Sequence, residues 1–270
     1  MKPTVKEFFQ AINESDEDAV VKHLDRFARG SVACVEEFVN DEQAFETPLH
    51  AAVKQAEKSP EGYDILERLL SFPLFQKEFL LRRDARGIAP LGCTRDFDVR
   101  ALLFEYMPGD GDFDFGAVGN GDLAAVKKEL DRGHDINAVD RNGRTPLILA
   151  AQSLQPVWSW VIAKKDCNAF AMFKLILEHD PDIHIKDYYG NTAFACLIGP
   201  MFGSYLSNEE DAFDDDIRTA AELLLARNAE YQLPGMDSNY YPLEFRKMMV
   251  RFMLRQEPEY PTFIKYMEKQ

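Results

Sequence analysis

Apolar residues recur at helical spacing along most of this 270-residue chain, in short runs separated by polar turns. In the clearest run, Leu123, Val126 and Leu130 lie three or four positions apart, which places them on one face of a helix. A second run begins at Leu147 and includes the small pair Ala150-Ala151, which lets a neighbouring helix approach closely. The pattern predicts pairs of short amphipathic helices joined by turns, and we expect Leu130 and Leu147 to be buried between adjacent pairs.

The boundary between these two runs carries a turn and a helix start in fixed register. Asn142-Gly143 is a turn dipeptide, because glycine adopts positive φ without a steric penalty. Thr145 is placed to cap the next helix, and Pro146 suits its first turn. An aspartate stands five residues before a helix start three times, from 84 to 89, from 140 to 145 and from 187 to 192. We therefore expect Gly143 and Gly190 to have positive φ.

These signatures resemble the ankyrin repeat, a unit of about 33 residues made of a β-turn and two helices. The resemblance is carried by Thr47-Pro-Leu-His-Ala-Ala, by Asp140-Arg-Asn-Gly-Arg-Thr-Pro-Leu-Ile-Leu-Ala-Ala and by Asn120-Gly-Asp-Leu-Ala-Ala-Val-Lys-Lys-Glu-Leu. Weaker copies start near positions 6, 89, 192 and 241, so repeat intervals range from 23 residues (89 to 112) to 49 (192 to 241). The resemblance implies an all-α ankyrin-repeat solenoid of about six helix-turn-helix repeats with a C-terminal helical cap. It also implies a structural, hydrogen-bonding role for His50.

A turn-rich segment, Met107–Asp112, suggests two parts, residues 1–107 and residues 108–270. We expect one continuous solenoid, because each repeat gains stability by burying a face on its neighbour. Two insertions interrupt the second part. The first, 152–166, contains both tryptophans, which either point to opposite sides of a helix or are both buried by the insertion folding back. The second, 199–216, is predicted as a long loop with an acidic end.

The net charge of −15 argues against nucleic acid and anionic membranes as main partners, since both require a cationic surface. It is compatible with a basic protein partner. No apolar run is long enough to predict a membrane span, and the start of the chain lacks the apolar core of a signal peptide. The four scattered cysteines are typical of reduced thiols, so we expect a cytoplasmic protein.

Motifs for catalysis are missing from the sequence, which has no Walker loop, nucleophile elbow, His-Glu-x-x-His or Cys-x-x-Cys. The aspartates at 110, 112 and 114 imitate a calcium loop, but Phe115 and Gly121 stand where that loop needs glycine and a carboxylate. We therefore expect no catalytic residue, no metal and no cofactor.

The sequence predicts a non-catalytic protein–protein interaction module. In ankyrin arrays the turn tips help to line the recognition surface, so the resemblance places binding residues at Arg141, Asn142, Arg144, Tyr188 and Tyr189. We expect the tyrosine pair to be exposed, because exposed aromatics are typical interface anchors. The insertions add Trp158, Trp160, Asp214, Asp215 and Asp216.

Two versions of this function are open. One is an inhibitor or immunity-type protein that masks a basic partner, and the other is a scaffold or secreted effector that docks a cellular partner. An enzyme with a site built from the insertions is the alternative class, which no motif supports. The sequence leaves the oligomeric state open.

Overall fold

The computed structural model describes residues 3–27, 45–76, 78–107, 109–155, 168–206, 215–231 and 243–254. Every regular element in these ranges is helical, with thirteen α-helices and two 3₁₀ turns. The chain forms two compact units. Unit 1 comprises Met1–Gly109 with the turn segments Arg141–Gly143 and Tyr188–Gly190, and unit 2 comprises Asp110–Asp140, Arg144–Asp187 and Asn191–Gln270.

Unit 1 is a two-layered array of helix pairs. Its elements are α1 (Pro3–Asn13), α2 (Glu17–Arg26), α3 (Pro48–Ala56), α4 (Pro60–Leu70), a 3₁₀ turn (Pro73–Phe75), α5 (Glu78–Leu81), a second 3₁₀ turn (Pro90–Cys93) and α6 (Phe97–Tyr106). The first helices of successive pairs pack together, α1 on α3 and α3 on the second 3₁₀ turn. The second helices form the other layer, α2 on α4 and α4 on α6. The short third pair matches the truncated repeat that the sequence predicts.

Unit 2 repeats this arrangement. Its helices are α7 (Phe115–Gly119), α8 (Leu123–Asp131), α9 (Pro146–Ser153), α10 (Ala169–Glu178), α11 (Ala193–Leu206), α12 (Asp215–Ala226) and α13 (Leu243–Met253). First helices contact in the order α7, α9, α11 and α13, and second helices in the order α8, α10 and α12. The predicted all-α ankyrin-type architecture is confirmed. The expectation of one continuous solenoid stays a prediction.

The predicted loop at 199–216 is wrong over most of its length. Helix α11 continues to Leu206 and α12 begins at Asp215, so only residues 207–214 lie outside the described ranges. Pro200 has no N–H to donate to the carbonyl of Cys196, which is its partner in an ideal helix. Gln155 takes over, and its Nε2 donates to the carbonyls of Cys196 at 3.3 Å and of Leu197 at 2.8 Å. A side chain distant in sequence therefore compensates for the proline inside α11.

The same hydrogen-bonded turn occurs three times. Its first residue is a buried aspartate: Asp84, Asp140 or Asp187. The backbone N–H of each aspartate donates to the carbonyl four residues later, at 2.8, 3.0 and 2.9 Å respectively. The Oδ1 of each also accepts the backbone N–H of that later residue, at 2.9, 2.8 and 2.8 Å. Each carboxylate thus satisfies turn donors that have no helical partner.

A glycine closes each of these turns. Gly87, Gly143 and Gly190 have φ values of 82°, 73° and 84°. This is the left-handed region, which glycine enters without the penalty of a Cβ. The expectation for Gly143 and Gly190 is confirmed.

Threonine caps start the helices that follow. The hydroxyl of Thr145 accepts the N–H of Ile148 at 3.2 Å. At the start of α3, Nδ1 of His50 accepts the N–H of Thr47 at 3.1 Å and lies 2.8 Å from its hydroxyl. Nε2 of His50 lies 3.0 Å from the carbonyl of Ile88, to which it donates when Nδ1 is the acceptor. The structural role expected for His50 is confirmed.

The two leucines predicted to be buried differ in how far the structure buries them. Leu147 is 1% exposed, whereas Leu130, in the last turn of α8, is only partly buried against the same cluster. Leu147→Ala should lower the free energy of unfolding by about 2–5 kcal/mol, the range for a fully buried leucine. Leu130→Ala should lower it clearly less. Urea melts of both variants check this, and equal losses would contradict the packing of α9.

The neutral form of His50 makes the stability of the chain depend on pH. Burial lowers the pKa of His50 below its usual 6.5. Between that folded pKa and 6.5, the unfolded chain binds more protons than the folded chain. The contribution of His50 to the free energy of unfolding therefore falls as the pH drops below about 6.5. Between pH 7.5 and 5, roughly the range where histidine titrates, His50→Gln should lose less stability than wild type. His184→Gln, an exposed control, should follow wild type. Parallel curves for wild type and His50→Gln would show that His50 does not titrate this way.

Candidate functional site

Tyr188 is buried in the core of unit 1, so the expectation that it is exposed is wrong. It is 5% exposed. Its N–H donates to the carbonyl of Asn142 at 3.0 Å, and its carbonyl accepts the N–H of Ala89 at 3.0 Å. Two glycines make room for it: a Cβ on Gly143 would lie 2.7 Å from its ring, and one on Gly92 would lie 2.2 Å from its carbonyl oxygen. The sequence could not reveal this close approach, because the glycines lie far from Tyr188 along the chain.

Tyr189 is half-buried and also makes contacts within unit 1. Its hydroxyl accepts a hydrogen bond from the guanidinium of Arg100. That guanidinium lies over two rings, 5.4 Å from the centroid of Tyr189 and 5.6 Å from that of Phe104. Both tyrosines therefore pack within unit 1, and the expectation that the pair is exposed is wrong.

The other predicted binding residues belong to both units, and three of them lie outside the described residues. Arg144 is half-buried and pairs with Asp140 at 2.7 Å, whereas Arg141 is exposed. Asn142, which lies between these two arginines in the sequence, is half-buried. Asp215 and Asp216 are exposed at the first turn of α12, where a carboxylate stabilises the helix dipole. Trp158, Trp160 and Asp214 lie outside the described residues.

A groove in unit 1, which sequence reasoning missed, brings acidic side chains together. It has a volume of about 700 Å³ and runs between α4 and α6, beside the end of α3. We call it the acidic groove. It is lined by five carboxylates, one lysine and an apolar remainder: Ala56, Glu57, Lys58, Ser59, Pro60, Tyr63, Glu67, Asp96, Asp98, Val99, Ala101, Leu102 and Glu105. Its two walls come from helices about thirty residues apart in sequence, so no local motif indicates it.

Helix caps fix the walls of the acidic groove. The hydroxyl of Ser59 accepts the N–H of Gly62 at 3.1 Å and starts α4. Asp96 starts α6, where its Oδ1 accepts the N–H groups of residues 98 and 99, both at 3.0 Å. Glu57 accepts the hydroxyl of Thr94 and, at 3.1 Å, the N–H of Arg95. The end of α3 is thus hydrogen-bonded to the segment that leads into α6.

Gly62 lets α4 approach α3 closely. A Cβ at this position would lie 2.4 Å from the carbonyl oxygen of Gln55. No real Cβ tolerates such a contact, so any other residue would push the two helices apart. The shape of the acidic groove depends on this glycine.

Three carboxylates of the acidic groove are not neutralised by the part of the chain that the structure describes. Glu67, Asp98 and Glu105 are exposed, and no cation of these residues lies within ion-pair distance of them. Their charge acts on Tyr63. Burial raises the pKa of the Tyr63 hydroxyl, and nearby carboxylates, Glu67 foremost, raise it further. The groove therefore presents a negative potential around an aromatic ring.

Phe97 is the most solvent-exposed large apolar side chain of the described residues, at 82% exposed. It is the first residue of α6 and stands between two aspartates that line the acidic groove. Phe97 lies two residues before the buried Val99, so the two side chains do not share a face of α6, and the ring of Phe97 is exposed to solvent. An exposed aromatic beside a concave surface is typical of an interaction site.

The residues that line the acidic groove include no histidine and no cysteine. Across the described ranges, no group of three or more His, Cys, Asp or Glu side chains could hold a metal ion. Burial raises the pKa of Cys93 to about 11 and that of Cys196 to about 12, so these thiols are protonated at neutral pH.

No family model matches the chain, and no curated protein matches it. Among solved structures, the crystal structure of an ankyrin repeat protein, EF0377, matches with 18% sequence identity and a TM-score of 0.30, covering 82% of this chain and 97% of that chain. The turns, caps and helix packing of the chain itself identify its repeats as ankyrin-type. Among the described residues, no helix is both long and apolar enough to cross a membrane.

Two aromatic substitutions separate packing from exposure in unit 1. Tyr188→Ala should lower the free energy of unfolding by about 3 kcal/mol or more, because it empties a buried site. Phe97→Ala should change it by no more than about 0.5 kcal/mol, since the ring is exposed and alanine suits a helix. Urea melts followed by circular dichroism measure both. A larger loss for Phe97→Ala than for Tyr188→Ala would contradict the packing described here.

Proposed function

We propose that this chain is a non-catalytic protein-interaction module that binds a basic protein and masks its cationic surface, as an inhibitor or immunity-type protein does. The observation that carries the proposal is the acidic groove, whose exposed carboxylates Glu67, Asp98 and Glu105 have no cationic partner in the described chain. The net charge of −15 has the same sign. A basic partner would supply the missing countercharges.

The charges and the aromatic ring would contribute differently to such a complex. Exposed carboxylates speed the encounter with a cationic protein, and that effect weakens as salt screens them. Their contribution to affinity is modest, because exposed ion pairs are each worth at most about 1 kcal/mol. Phe97, which is 82% exposed, offers apolar area that a partner can bury. Charge therefore selects the partner, and the aromatic ring lengthens the lifetime of the complex.

The turn tips suit a basic partner less well. The exposed member of the predicted tip set is Arg141, whose charge repels cations, and Tyr188 is committed to the core of unit 1. Tyr189 stacks with Arg100. We therefore place the main contact at the acidic groove and keep the insertions, with Asp215 and Asp216, as a proposed second contact.

Affinity capture with matched charge variants tests the proposed function. The groove variant is Glu67→Gln/Asp98→Asn/Glu105→Gln. The control, Asp131→Asn/Glu178→Gln/Glu222→Gln, makes the same charge change at exposed positions of unit 2. Wild type and control should retain the same basic protein from a native lysate, and the groove variant should lose it. Retention of one acidic or neutral protein by all three would refute the proposal.

A further inference from the structure

The geometry points to a specific occupant of the acidic groove: a lysine or arginine side chain from a basic segment of the partner, laid over Tyr63, with an adjacent apolar residue of the same segment on Phe97. This inference rests on the proposed function and deepens it. It names the chemistry of the segment that the groove receives.

The positions of the carboxylates around Tyr63 carry the inference. Glu67 lies four residues after Tyr63 on α4, one helical turn away on the same face. Asp98 and Glu105 lie seven residues apart on α6, two turns along one face. Both faces line the acidic groove. The ring of Tyr63 is therefore bordered by carboxylates from both walls.

The floor of the acidic groove suits the stem of a long basic side chain. Val99 and Leu102 are 1% and 7% exposed and line the groove beside Tyr63. Lysine and arginine bury their methylene stems on apolar surface and keep the charged group near polar atoms. An aromatic ring adds attraction for the cation above its face. The apolar floor of the groove would contact the methylene stem of such a side chain, and the carboxylates of its walls would contact the charged group.

Neither a metal ion nor a side chain of the described residues competes for this place. The carboxylates of the groove are not arranged as a metal site, since no group of three or more ligating side chains in the described ranges could hold an ion. Lys58, the cation that lines the groove, is exposed and makes no ion pair with the described residues. As far as the described residues go, the carboxylates are available to a cation from outside.

Phe97 would add an apolar contact to the charged contacts of the groove. It precedes Asp98, so an apolar residue next to the basic one in the partner segment would reach its ring. No residue of the turn from Asp84 to Gly87 lines the groove. The partner would thus lie against the second helices α4 and α6, since the groove-lining residues include none of the turn-tip residues.

The test uses the full chain and a fluorescein-labelled peptide of alternating lysine and leucine as the probe. A matched peptide with acetylated lysines keeps the stems and loses the charge. Fluorescence anisotropy gives the affinity of each peptide, and amide hydrogen exchange shows which residues the peptide protects. The lysine peptide should bind, should protect residues 57–67 and 96–105, and should bind at least about fivefold more tightly than the acetylated peptide, as expected for a few exposed charge contacts.

Variants then separate the groove from the overall charge. Glu67→Gln/Glu105→Gln should weaken binding of the lysine peptide about fivefold, whereas Asp131→Asn/Glu178→Gln, with the same charge change in unit 2, should weaken it less than about twofold. Tyr63→Leu should weaken it and Tyr63→Phe should not, because phenylalanine keeps the ring. Phe97→Ser should weaken it through faster dissociation.

The possible failures are distinguishable. If the lysine peptide binds in preference to the acetylated one but protects residues outside the groove, the inference falls and the proposed basic partner stands. If the two peptides bind alike, or neither binds, both the inference and the preference for a basic partner fall. Equal affinities of wild type and Glu67→Gln/Glu105→Gln also overturn the inference.

Discussion

The buried aspartate of each turn is the interaction on which both units depend. Asp84 in unit 1, and Asp140 and Asp187 in unit 2, each close a turn by accepting the backbone N–H four residues later. A buried carboxylate is unfavourable unless such bonds satisfy it, so each turn is held in one geometry. In unit 1 this geometry places the carbonyl of Ile88, which His50 reaches from the start of α3. The turn therefore sets where the next helices begin, and the helices set the surfaces.

The acidic groove results from where the helices of unit 1 begin and end. The 3₁₀ turn Pro90–Cys93 replaces a full first helix, and Thr94 then hydrogen-bonds Glu57 at the end of α3. Helix α6 begins directly afterwards and packs on α4. A shortened repeat thus brings two second helices together over a polar cleft, with Phe97 at the start of one wall. The exposed carboxylates of this cleft and the nearby aromatic ring of Phe97 are the features on which the proposed binding rests.

The sequence predicts the repeats well because their signals are local. The turn glycines, the threonine caps and the role of His50 follow from residues a few positions apart, and the structure has them as expected. The errors concern contacts between distant segments. Tyr188 is buried because Gly92 and Gly143 leave space for it, and α11 passes through Pro200 with Gln155 compensating for it. The acidic groove was missed for the same reason, since its walls are distant in sequence and each one alone reads as an ordinary solvated helix face.

Site-specific photocrosslinking tests the central claim, that the partner contacts the helix side of unit 1 and not the turn tips. Phe97 would be replaced by a benzoyl-phenylalanine, and in a second variant Arg141 would carry the same group. Both positions are exposed, so neither substitution disturbs the core. After irradiation in native lysate, the group at position 97 should crosslink a basic protein, with a yield that falls as salt rises, and the group at 141 should not. Crosslinking of that protein from position 141 and none from position 97 would contradict the account.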